Sequence, residues 1–294
     1  MLKELDYQIN KYKKISRRIL ESLFTHLMKI FMNPKIKKVI KKNREFLSKE
    51  GSFLSEDEFK KNDYGMDHEI FSNLNKKIKN YPTYTDLIMY SKNYLNVDKI
   101  NYLEIGASVL KNFMQINNYL DGDVLVAYDI NPIVPKYRNS FNKLNDKEKE
   151  IYLMNSKNKL FYFQGSVLDL NDTNKFNNYF NQKFNIIFSD ALHTPEGVMS
   201  EYENIISKKL DSEFILYFDD LDFPGLQEVA EEIFNDLSKK RKELFFTSFK
   251  IYGWVGQYEK MHTNGIISNI NFFNAFRKDK IYLPSLSLVK GKSL

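Results

Sequence analysis

The chain of 294 residues contains no cysteine, which removes disulfides and thiolate metal sites and fits a reducing compartment. It also lacks any apolar run as long as a membrane span, and its opening, MLKELDYQINKYKK, is charged from the start, without the apolar core of a secretory signal. A cytoplasmic protein is the expectation. Internal repeats are absent as well. What is present is 43% hydrophobic and 15% aromatic residues, enough for one large core and a smaller appendage. The net charge of +6 is lopsided: residues 1–50 carry 14 basic and 5 acidic side chains, and the other 244 carry 30 and 33. Basicity therefore belongs to an N-terminal arm, and a nucleic-acid grip by the whole molecule is disfavoured.

Residues 1–33 read as a helix, because Leu2, Leu5, Ile9, Tyr12, Ile19, Leu23 and Ile30 follow a three-four spacing that Leu20, Phe24, Leu27 and Phe31 widen. Pro34 should stop or bend it, and KIKKVIKKNREFLSKE reads as a second helix before Gly51. Such an amphipathic pair packs on its own domain or on a partner subunit, a reading preferred to a membrane-surface or nucleic-acid arm, so a homo-oligomer is expected. Residues 51–97 are polar and irregular, with helical pieces near 66–79 and 84–95, and read as a connector or lid.

From about Asp98 to the C-terminus the pattern becomes short apolar runs alternating with helical stretches. Strands are expected at 101–105, 124–129, 160–164, 184–189 and 213–218, and helices at 109–120, 146–156, 173–181, 195–209 and 225–242. Alternation of this kind means parallel crossovers and a doubly wound α/β sheet covered on both faces. Two later runs, 244–252 and 265–270, have no helix between them and should pair antiparallel at one edge.

In such a sheet ligands bind beyond the carboxyl ends of the strands, near the point where strand order reverses. Glu104 and Gly106 end the first strand, Asp129 the second, Asp169 follows the third, Asp190 and His193 the fourth, and Asp219 and Asp220 the fifth. Taken singly, Asp219 and Asp220 read as helix caps as readily as ligands, and His193 as a surface histidine. The series along one rim is what points to a site. His262 and His68 read as structural, Trp254 as packing a hairpin or walling the site, and YPTYTD (81–86) as a segment lying over it.

Those residues carry a resemblance. LEIGAS (103–108), AYDINP (127–132) and GSVLD (165–169) resemble the cofactor loops of class I S-adenosylmethionine-dependent methyltransferases. The resemblance implies a Rossmann-like sheet of about seven strands with an antiparallel edge hairpin and, here, an N-terminal helical extension. It implies S-adenosylmethionine bound by Glu104, Gly106, Asp129, Ser166, Val167 and Asp169, with the two Asp129 oxygens accepting from the ribose hydroxyls. Only Gly106 of the usual glycine-rich loop is present, with Val109, Leu110 and Lys111 where further glycines are common. SDALHTPEGV (189–198) and FDDLDFPGL (218–226) are similar to the metal-dependent branch containing macrocin O-methyltransferase and cephalosporin-hydroxylase-like proteins, although Pro195 stands where an aromatic is common.

That likeness implies magnesium held by Asp190, Asp219 and Asp220, with His193 as base, and methylation of a hydroxyl on a small molecule or sugar. Three converging carboxylates without cysteine suit magnesium better than zinc. Thr194 as cap and Pro195 at the first helical position would start a helix just after His193, whose positive end favours a neutral imidazole. Two alternatives stand beside this reading: an RNA methyltransferase, on the basic arm, and an inactive methyltransferase fold used for binding, on the reduced glycine loop.

Overall fold

The computed structural model describes residues 32–62, 64–74, 76, 78–144, 151–258 and 260–293, together with Tyr12, Ser16, Ile19 and Leu23. Those four isolated positions are helical; of the helix expected over 1–33, Met32 and Asn33 are described and not helical, and the other positions lie outside the described residues. The strands are β1 (Asn101–Ile105), β2 (Val124–Asp129), β3 (Asn142–Lys143), β4 (Ile151–Asn155), β5 (Lys159–Gln164), β6 (Phe184–Ser189), β7 (Leu210–Phe218), β8 (Leu244–Tyr252), β9 (Met261–Ser268) and β10 (Ser287–Lys292). They make one sheet in the order β10-β8-β9-β7-β6-β1-β2-β5-β4-β3.

The central run β5-β2-β1-β6-β7 is parallel, and β9, β8 and β10 continue it antiparallel. The chain fills one side of the sheet from β1 through β5 and then, beginning with β6, the other, so strand order reverses between β1 and β6. A crevice opens at such a reversal.

The helices are α1 (Pro34–Glu50), α2 (Glu56–Lys61), α3 (His68–Asn73), α4 (Tyr84–Ser91), α5 (Lys111–Tyr119), α6 (Pro135–Arg138), α7 (Leu170–Tyr179), α8 (Pro195–Glu201), α9 (Ser207–Lys209), α10 (Leu226–Lys240) and α11 (Phe272–Lys278). Successive strand residues point to opposite faces. Leu125, Ala127, Ile186, Phe188, Ile215 and Tyr217 therefore join one apolar cluster with α1, α4, α5 and α11, while Val126, Tyr128, Ile187, Leu216 and Phe218 join a second with α7, α8 and α10. Strands apolar on both faces are the sequence form of a covered parallel sheet. The doubly wound Rossmann-like sheet expected from the sequence is present.

Three expectations are corrected. The stretch 146–156 is not helical where described: Ile151–Asn155 forms β4, antiparallel to β5, because Ser156 and Asn158 close a hairpin turn that returns the chain onto its neighbour. With β3, β4 and β10 added, the sheet exceeds the seven strands expected. Strand β9 spans Met261–Ser268 and not 265–270, since the polar residues at its start hide it from a reading by hydropathy.

Pro34 opens α1 at its first turn, with Asn33 Oδ1 accepting from Lys35 N at 2.8 Å. This basic helix is no free arm. It buries Ile36, Val39, Ile40 and Leu47 in the same cluster as the sheet, and Arg44, also buried, grips Asp86 at 2.6 and 3.1 Å. The guanidinium also donates to Lys79 O (2.7 Å) and Tyr81 O (2.6 Å). Removing one partner of so saturated a buried pair costs about 3–5 kcal/mol. No helix among the described residues is long and apolar enough to cross a membrane.

Candidate active site

The carboxyl ends of the central strands stay in step past their last paired residues. Gly106 N donates to Tyr128 O (2.8 Å), Asp190 N to Ile105 O (2.9 Å) and Gly165 N to Asp129 O (2.8 Å), so the loops after four strands leave the sheet at one level. They line a cleft of about 520 Å³, within the range of small-ligand sites. Of the residues singled out in the sequence, Glu104, Gly106, Asp129, Ser166, Val167, Asp190, His193, Asp219 and Asp220 line it. Asp169 does not. It is exposed and caps α7, accepting from Asn171 N at 2.7 Å.

The loop after β1 makes its turns almost without glycine. Gly106 (φ +89°) is required by space, because a side-chain carbon there would overlap the Asp190 carbonyl. Ser108 (φ 46°) and Leu110 (φ 62°) adopt left-handed conformations that ordinary residues avoid, at a cost of about 1 kcal/mol or more each. The bend brings Ser108 N to Asp129 Oδ2 at 2.5 Å, while Oδ1 accepts from Asn131 N at 2.8 Å. Burial raises the Asp129 carboxyl above its ordinary range. Glu104 is pushed up much further by burial, with Tyr102 Oη (2.7 Å) and Asn112 Nδ2 (2.9 Å) both donating to its Oε2. Two polar atoms on the cleft residues, Asn112 Oδ1 and Tyr64 Oη, are buried without a partner.

The second half of the site is an acidic cluster fastened to β9. His262 Nδ1 is hydrogen-bonded to Asp220 Oδ1, Asn264 Nδ2 donates to Asp219 Oδ1, and Thr263 N and Oγ1 donate to Asp222 at 2.6 Å each. Alternation along the strand puts His262 and Asn264 on one side with Asp219 and Asp220, and Thr263 on the other. Asp220 is itself left-handed (φ 54°). One atom each from Asp219, Asp220 and His262 lies within 4.8 Å of the others, the spacing of a metal site, whereas Asp190 reaches this group through His193. His262, expected to be structural, is thus the residue that sequence reasoning missed. Its only signal was that it stood 42 residues beyond Asp220 on a strand the hydropathy did not show.

His193 Nε2 lies 3.3 Å from Asp190 Oδ1 and 3.7 Å from Asp220 Oδ2, with its ring 5.0 Å from that of Phe223. Thr194 caps α8 by accepting from Gly197 N at 3.1 Å, with Pro195 at the first position. The neutral histidine expected beside that helix end is corrected. Its hydrogen bond to Asp190, together with the charges of Asp190, Asp220 and Asp219, raises it to about 9 against the lowering effect of burial. Burial and the charges of Asp220 and Asp190 raise Asp219 to about 8.

The roof comes from elsewhere in the chain. Tyr64, Met66, Ile70 and Leu74 of the 51–97 segment, Tyr84 of YPTYTD, and Trp254 and Gln257 of the β8–β9 loop all line the cleft. His68 lies exposed on α3, outside it.

No protein-family model and no curated protein matches the sequence. Solved structures to which the chain is similar include a Klebsiella pneumoniae protein assigned as an O-methyltransferase (12% identity, TM-score 0.46, 84% of this chain and 96% of that one). Others are the plantazolicin methyltransferase BpumL with SAH (13%, 0.44, 80% and 98%) and MycE, of the mycinamycin pathway, with Mg, SAH and mycinamycin VI (12%, 0.35, 62% and 48%). At such identities and scores the likeness carries no argument about chemistry, which rests on the residues themselves.

Proposed function

We propose that the chain is an S-adenosylmethionine-dependent methyltransferase that methylates a hydroxyl oxygen of a small molecule or sugar with the help of a divalent cation, magnesium being the one the sequence suggests. The observation that carries the reading is one cleft joining two buried strand-end carboxylates, Glu104 and Asp129, to the cluster of Asp190, Asp219 and Asp220. Among the described residues Glu104 has no cationic partner, and it lies beside the idle Asn112 Oδ1, a pair of acceptors suited to the ammonium group of the cofactor. Asp129 suits the ribose diol, and Ile130 with the Gly165–Val167 turn gives an apolar edge for a base.

The acceptor hydroxyl would sit by the acidic cluster, where His193 is placed to take its proton as the oxygen attacks the methyl group. A divalent cation on those carboxylates would make that hydroxyl more acidic and offset the charge that holds the His193 proton. Phe223 against His193 would wall the acceptor and keep water from it.

Calorimetry with S-adenosylmethionine tests the reading. Asp129→Ala should weaken binding by about 1.5–3 kcal/mol while remaining folded, because it removes hydrogen bonds to a charged group. Unchanged affinity would refute the assignment. Chelation should abolish turnover and spare cofactor binding; full activity in excess chelator would leave a metal-free mechanism.

A further inference from the structure

The sequence places a metal on three carboxylates, and the fold brings a nitrogen among them. His262 contributes an atom to the group spaced for a metal with Asp219 and Asp220. Its side chain is only 7% exposed, and Nδ1 is the ring nitrogen that faces Asp220, so a cation shared with the carboxylates would be taken by Nδ1 in place of that hydrogen bond. The ring is held on β9, where His262 pairs with Ile251 of β8, rather than on a loop. Among the described residues no lysine or arginine forms an ion pair with Asp190, Asp219 or Asp220; their charged partners are histidines.

We propose that His262 is a ligand of the divalent cation together with Asp219 and Asp220, and that this mixed nitrogen–oxygen set selects a first-row transition metal, such as manganese or cobalt, over magnesium. The inference rests on the metal part of the proposed function. Magnesium prefers oxygen donors and gives up its waters reluctantly, whereas imidazole raises affinity for the transition dications in their usual order. The two histidines then divide the work: His262, buried on the strand, binds the metal, and His193, half-exposed at the mouth, stays free for proton transfer.

The test uses the full chain, stripped of metal and without cofactor. Titration calorimetry should show cobalt(II) binding at least roughly tenfold tighter than magnesium. Pulsed electron paramagnetic resonance of the manganese(II)-loaded protein should show coupling to a directly bound nitrogen. In folded His262→Gln both the coupling and the metal preference should be lost, and in His193→Gln both should persist.

Equal affinity for the two metals with no nitrogen coupling, or coupling lost in His193→Gln, overturns the proposal. The second outcome needs no folded His262 variant. Failure to bind any metal overturns it along with the metal part of the function. S-adenosylmethionine binding is measured separately, so its failure beside a nitrogen-bound metal would sink the methyltransferase reading and leave the site.

Discussion

Glu201 shows how much of this site is decided by one proton. It ends α8 beneath the loop that carries Asp190 and His193, is fully buried, and accepts from Ser189 Oγ at 2.6 Å through Oε2. Burial, reinforced by the charge of Asp190, raises its carboxyl to about 8. Between an unfolded value of about 4.5 and this folded one, the native state holds more protons than the unfolded state. Stability contributed by this group is therefore full below about pH 4.5, falls as pH rises through the window, and levels off above 8. Glu201→Gln keeps the shape and the acceptor for Ser189 but removes the titration. Denaturant unfolding should find the variant equal to the parent near pH 4.5 and more stable by up to about 3 kcal/mol at pH 7. A difference that does not change with pH would show that the carboxyl titrates in its ordinary range.

At the scale of elements, the roof is tied to the floor by Lys111, the first residue of α5. Its side chain is buried, its Nζ donates to Val255 O (2.6 Å) and to Leu74 O, and it lies 4.6 Å from the centre of the Trp254 ring. Burial, with the charge of Arg44, pushes the amine down to about 7, whereas the two carbonyls and the indole face favour the ammonium form. One side chain thus links the helix after the β1 loop to the end of α3 and to the β8–β9 loop. Lys111→Met should speed amide hydrogen exchange at 64–74 and 253–258 by roughly tenfold or more, the effect of losing one or two such bonds, and leave β1, β2 and β6 protected. Unchanged exchange in the roof would mean that packing alone holds it. The parallel strands were legible in the sequence because they are apolar on both faces, and the rim of acids was legible because each acid follows such a strand. Three things were not. Strand β4 follows a run of alternating charges and reads as helix until its hairpin turn pairs it with β5. The start of β9 is polar because His262, Thr263 and Asn264 are spent on Asp220, Asp222 and Asp219. The roof joins segments far apart in the chain, and neither carries a local pattern that foretells the other.

For the whole molecule, the remaining question is what use the N-terminal arm has. In the helix expected from the sequence, Tyr12, Ile19 and Leu23, seven and four residues apart, would share one face, and their side chains are 70%, 55% and 56% exposed. Apolar side chains so exposed and so regularly spaced are the mark of a docking surface. The basic residues of α1 offer a second use, because Lys35, Lys38, Lys41 and Lys42 are exposed. The two uses differ in salt dependence. Helix pairing between two copies buries apolar area and changes little with salt, whereas phosphate contacts release counterions and weaken steeply as salt rises. The structure also fixes where the cut must fall. Removal of residues 1–50 would take away Ile36, Val39 and the buried Arg44–Asp86 pair and unfold the domain for unrelated reasons, so the truncation must stop before Met32. Sedimentation of the full chain and of residues 32–294 at low and high salt should then show an oligomer for the first at both salts and a monomer for the second, with cofactor binding intact in each. If both lengths sediment as monomers, and the full chain binds RNA tightly at low salt through the residues removed, the arm is a phosphate grip and RNA becomes the acceptor to test first.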